Sequence, residues 1–67
     1  MNDFLNFVSE IMEDDKVTMD MSYNQGKWDS VMMLTLIMEL ESKYGVSIPL
    51  EKIGKVKTLA DLYKLVN

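Results

Sequence analysis

At 67 residues the chain reads as one small domain, close to the lower limit for folding alone, and its 48% apolar content is enough to build a core. It has no cysteine and no histidine, which excludes a disulfide, a thiolate site, a histidine general base and, in practice, a zinc site. The net charge of −4 is uneven: residues 1–30 hold seven acids against Lys16 and Lys27, and residues 31–67 hold four acids against five lysines. The acidic half repels nucleic acid and suits basic protein surfaces, or it simply keeps the chain in solution.

Phe4, Leu5, Phe7, Val8, Ile11 and Met12 recur at helical spacing and predict a first helix over residues 3–14, capped by Asn2 or Asp3. Glu13, Asp14 and Asp15 then crowd the negative end of its dipole, which argues that the helix stops there. With Asp20 they raise the question of calcium. The alternating ligands and central glycine of an EF-hand loop are missing, so a solvated acidic surface and no metal are expected. The first residues carry Asp3 and no basic cluster, so no signal peptide is expected and a cytoplasmic location follows.

Residues 15–29 show no clean period and contain Asn24-Gln25-Gly26, a turn signal. They predict a long loop with few buried contacts, the least protected part of the chain. Trp28, near its end, reads as a core plug that pins the loop over the end of the bundle.

Residues 30–44 predict a second helix, with Gly45 as its left-handed stop. Met33, Leu36, Ile37, Leu40 and Tyr44 follow the core period. Val31, Leu34 and Met38 make a second apolar stripe, well over 90° around the wheel. Either the short third helix covers that stripe or it is a surface for a partner. Its longest uncharged stretch, Ser30 to Met38, is too short to span a bilayer.

Pro49 biases Ile48 toward an extended conformation, and a short third helix is expected over residues 50–54, closed by Gly54. Thr58-Leu59-Ala60-Asp61 is a capping-box variant opening a fourth helix over residues 58–66, with Leu59, Leu62, Tyr63 and Val66 on one face. The predicted architecture is an all-α antiparallel bundle of three main helices and one short helix, in a single domain over 1–67.

The candidate site is Asp29-Ser30-Val31. It sets a hydroxyl at a helix N-terminus, behind a carboxylate, where free backbone N–H groups and the positive dipole end suit a phosphate ester. The plain alternative is that Ser30 only caps the helix. No base accompanies Ser30, so it is not an activated nucleophile and no catalytic residue is expected. Glu39 and Glu41 point to different faces of the second helix and make no acid/base pair.

Three segments together resemble the acyl carrier protein family, over nearly the whole chain. Asp29-Ser30-Val31 is similar to the family's Asp-Ser-Leu motif. Leu40-Glu41-Ser42-Lys43-Tyr44-Gly45-Val46-Ser47-Ile48-Pro49 is similar to its run from an apolar-Glu pair through an aromatic to Ile-Pro. Lys57-Thr58-Leu59-Ala60-Asp61-Leu62 is similar to the cap and start of its last helix.

The resemblance implies that Ser30 carries 4′-phosphopantetheine, donated from coenzyme A by a separate phosphopantetheinyl transferase, with Asp29 helping that enzyme organise coenzyme A and its metal. The missing cysteine is then explained by a thiol imported on the cofactor. It further implies that Val31, Leu34, Met38 and Met32 contact partner enzymes, and that Leu36, Ile37 and Leu59 are candidates to line an acyl pocket. Expected partners are a ligase that loads an acyl or aminoacyl group and a transferase or synthase that accepts it, with no nucleic acid, no membrane span and a monomeric chain.

Several residues depart from the family pattern. Met32 and Thr35 stand where fatty-acid carriers usually have acids, lysines 52, 55, 57 and 64 make the last third basic, and Trp28 replaces a small residue. A specialised stand-alone carrier is therefore expected, for a secondary metabolite, a surface polysaccharide or aminoacyl transfer. D-alanine carriers are similar in the methionine-rich start of the second helix. The competing reading is an unmodified helical adaptor of the same fold, binding partners through Val31, Leu34 and Met38.

Overall fold

The computed structural model describes residues 2–66. Four helices follow in order: α1 (Asn2–Met12), α2 (Ser30–Tyr44), α3 (Leu50–Ile53) and α4 (Leu59–Val66). Three main helices and one short one form the all-α bundle expected from the sequence. Among the described residues, β-type pairing is confined to one isolated antiparallel bridge between Ser22 and Thr58. No helix among them is long and apolar enough to cross a membrane.

Along α1, Phe4, Val8 and Met12 are buried at one-turn spacing, and Leu5, Phe7 and Ile11 pack partly buried against the same core. Asn2 and Asp3 both lie inside the helix, so neither is its cap, and the residue before them is outside the described residues. The helix closes at Met12 and not at residue 14, because Glu13 turns left-handed at φ 55°. Glu13 N–H donates to Glu10 O at 3.3 Å and Asp14 N–H to Ser9 O at 3.1 Å, the paired bonds of a Schellman stop. A left-handed non-glycine residue costs roughly 1–2 kcal/mol. Two further bonds offset that cost: Ser9 Oγ donates to Asp14 O, and Lys27 Nζ donates to Glu13 O, each at 2.8 Å.

The core stripe of α2 is buried at Met33, Leu36, Ile37 and Leu40, and half-buried at Tyr44. Gly45 ends the helix at φ 63°, its N–H on Glu41 O, as its sequence signal predicts. The chain then turns back, and the Glu41 side chain holds the returning segment by accepting from Ile48 N–H at 2.7 Å. Pro49 caps α3, whose last helical residue is Ile53, one short of the expected 54; Gly54 is its C-cap.

The last helix buries Leu59, Leu62 and Val66. It meets α1 through an edge-on contact of Phe4 and Tyr63 rings, 4.9 Å between centroids. Lys43 on α2 lies over the Phe7 ring of α1 at 4.9 Å. Desolvation pushes the Tyr44 phenol above its ordinary value, with Tyr63 and Asp3 adding to the effect. Helix α4 starts at Leu59, with Thr58 just outside it in the capping position. Thr58 and Asp61 form the expected capping box: Asp61 N–H donates to Thr58 Oγ1 at 3.3 Å, and Thr58 N–H donates to Asp61 Oδ2 at 3.2 Å. Lys57 N–H also donates to Asp61 Oδ2. These backbone donors, Lys57 first, hold the Asp61 carboxyl below the usual carboxylate range.

Residues 15–29 depart from the expected loose loop. Met21 and Trp28 are buried, and Val17, Met19 and Tyr23 pack partly buried on the core. The segment straps onto the start of α4: Leu59 N–H donates to Met21 O at 3.1 Å, Ala60 N–H to Met19 O at 2.8 Å, and Tyr23 N–H to Lys57 O at 2.8 Å. A helix start leaves N–H groups without intrahelical partners, and here loop carbonyls take them. An irregular strap has no period, so its anchors left no pattern in the sequence.

Candidate functional site

The site begins in the turn before α2. Asn24 at φ 71° and Gly26 at φ 60° both adopt left-handed backbone there. A side chain at Gly26 would be strained by that φ, and its Cβ would stand 3.4 Å from Met21 Cε. Three further bonds close the turn. Gln25 N–H donates to Ser22 O, Asn24 N–H to Trp28 O at 2.7 Å, and Trp28 N–H to Gln25 O at 3.1 Å. Trp28 is thereby locked into the core at 0% exposure, with its ring edge-on to Tyr23 at 5.7 Å. The next residues emerge at the surface.

Asp29 is extended and is the N-cap of α2: its Oδ1 accepts from Met32 N–H at 2.8 Å. Its backbone carbonyl accepts from Met33 N–H at 2.8 Å. The capping role weighed for Ser30 therefore belongs to Asp29. Ser30 is the first helical residue and is exposed, and its hydroxyl takes no hydrogen bond among the described residues. The backbone N–H groups of Ser30 and Val31 have no partner among those residues either. A free hydroxyl thus stands beside two open donors at the positive end of a 15-residue helix. This arrangement suits a phosphate ester, because the donors and the dipole stabilise the charge the ester brings. It does not activate the hydroxyl, which has no base in contact with it.

The outer stripe of α2 is bare, with Val31 at 73%, Leu34 at 60% and Met38 at 68% exposure. Helix α3 does not cover it. Leu50, the first residue of α3, is itself 82% exposed, and the sequence pattern did not single it out. Met32 is partly buried against the core, so less of it faces outward than of the other three. Thr35 turns its hydroxyl back to Val31 O at 3.2 Å. Leu36, Ile37 and Leu59 are buried together in the central cluster.

Charged surface hollows lie elsewhere. One is lined by Asn6, Ser9, Glu10, Glu13, Asp14 and Asp15, and another by Lys52, Lys55, Val56, Asp61, Lys64 and Leu65. Asp20 is not among the first group; it accepts from Thr18 Oγ1 at 2.6 Å. Among the described residues no group of acids is arranged to hold a metal ion.

Residues 3–66 match the family described as "Phosphopantetheine attachment site". The chain is also similar to a "Probable acyl carrier protein" of Caulobacter vibrioides (strain NA1000 / CB15N), with 46% identity over 39 residues. That stretch covers 58% of this chain and 45% of the relative, so the match spans less than half of the relative's length.

Proposed function

The chain belongs to the acyl carrier protein family, whose cofactor is 4′-phosphopantetheine, and on that premise we propose that the cofactor is attached to Ser30. The observation that carries this reading is the division of labour at the start of α2. Asp29 does the capping, which leaves the Ser30 hydroxyl exposed and unengaged beside the N–H groups of Ser30 and Val31. In attachment, Ser30 Oγ bonds to the phosphorus on the pantetheine side of coenzyme A. The serine proton goes to the transferase and the adenosine bisphosphate leaves. The two open N–H groups then face the new phosphodiester. Asp29 Oδ1 is held by Met32, and Oδ2 is left for the transferase's metal.

The cofactor supplies a thiol that holds an acyl group as a thioester, a chemistry this cysteine-free chain lacks. In this reading the chain is a carrier and performs no catalysis. Its partners are the transferase, a loading ligase and an accepting transferase or synthase. Val31, Leu34 and Met38 contact them, with Met32 at the edge, because an apolar face this exposed gains most from being covered. The same helix lacks acids at Met32 and Thr35, which supports partners other than those of an ordinary fatty acid synthase. An acyl chain entering the domain would part Leu36, Ile37 and Leu59.

Intact mass tests the reading. The purified chain, incubated with coenzyme A, magnesium and a broad-specificity transferase, is expected to gain one phosphopantetheine, and Ser30→Ala to gain none. No gain with several transferases would discard it in favour of the unmodified adaptor. The bare stripe at Val31, Leu34 and Met38 supports that second reading equally well.

A further inference from the structure

We propose that the indole N–H of Trp28 is an interior hydrogen-bond donor for a carbonyl oxygen brought in by the phosphopantetheine arm or its acyl cargo, an inference that rests on Ser30 being the attachment site. Trp28 is the largest fully buried side chain, and every other buried core residue is apolar. Its Nε1 is the one buried side-chain polar atom without a hydrogen-bond partner among the described residues. Leaving such a donor unpaired in an apolar interior is costly, and native cores rarely do it without a reason. A phenylalanine or leucine fills a core without that cost.

The ring is not placed to carry its N–H to solvent. The Trp28 backbone is bonded on both sides, to Gln25 O and from Asn24 N–H, and the ring is held edge-on by Tyr23. The partner must therefore come to the ring. An indole N–H donates and cannot accept, so the partner must present an acceptor. A protonated amine offers only donors and does not fit. A saturated alkyl tail offers nothing. Carbonyl oxygens do fit, and they occur on the amides of the arm, at the thioester and on an oxidised acyl chain. Trp28 stands two positions before Ser30, so an arm rooted there starts next to the segment that holds the ring.

Trp28 is the chain's single tryptophan, so isotope-labelled protein gives one indole N–H resonance. The full chain is compared without cofactor, with the arm alone, with octanoyl and with 3-oxo-octanoyl, each load verified by intact mass. A downfield shift of the indole proton is expected on loading. A shift with the arm alone assigns the acceptor to an arm amide. A shift first seen with both acyl groups assigns it to the thioester, and one confined to the 3-oxo form assigns it to the acyl chain. A resonance that stays in place, or moves upfield, in every loaded form overturns the proposal and leaves the Ser30 reading standing. A chain that gains no phosphopantetheine mass overturns both.

Discussion

The starts of α2 and α4 are built from the same capping chemistry and finished in opposite ways. At α4, Thr58 and Asp61 cap each other, and loop carbonyls from Met21 and Met19 take the N–H groups of Leu59 and Ala60. At α2, Asp29 caps Met32, while among the described residues the N–H groups of Ser30 and Val31 and the Ser30 hydroxyl have no partner. One terminus is closed by the chain itself and can do nothing but hold the fold. The other is stable enough to be a helix and still has donors to offer. In so small a domain the strap 15–29 contributes to both: it closes α4 with its middle and presents the start of α2 with its end.

Hydrogen exchange reads this contrast most directly. The amides of Leu59, Ala60 and Tyr23 are expected to exchange slowly, near the rate set by global unfolding, and those of Ser30 and Val31 orders of magnitude faster. Equal protection at the two helix starts would break the comparison.

Core truncation on the closed side comes next. Leu59→Ala removes a fully buried side chain and is expected to cost about 2–5 kcal/mol. Leu34→Ala, at 60% exposure, is expected to stay within roughly 0.5 kcal/mol. Chemical denaturation of the two variants side by side checks this, and a large loss at Leu34 would mean that the outer stripe is packed.

The caps themselves are worth less. Thr58→Ala and Asp29→Ala should each lower stability by about 1 kcal/mol. Asp29→Asn keeps a capping oxygen, so its melting curve should match the parent while its loading by a transferase falls. An unchanged loading rate in that variant would confine Asp29 to capping.

The smallest effect is the acid limb of stability. The folded-state pKa of Asp61 is lowered, so the stability it contributes is present above the ordinary carboxylate range, near pH 4. That stability is lost as pH falls through the lower, folded value. Asp61→Asn should therefore flatten the stability profile below about pH 4 and leave its shape near neutrality unchanged. A profile that falls just as steeply in that variant would show that other carboxylates set the limb.

The helices, both stripes of α2, the Gly45 stop and the Thr58–Asp61 box were all legible in the amino-acid sequence. Each depends on residues within about one or two helical turns of one another, where spacing and backbone preference decide the outcome. Four features needed the tertiary structure. Asp29 and Ser30 are both good caps, and the direction in which the turn delivers them gave the role to Asp29. The strap on α4 joins segments far apart in the chain through backbone bonds that carry no side-chain signature. The exposure of Leu50 and the orphaned indole of Trp28 follow from where neighbouring elements happen to end. Local rules name the helices; only packing determines which of their terminal groups are free to act.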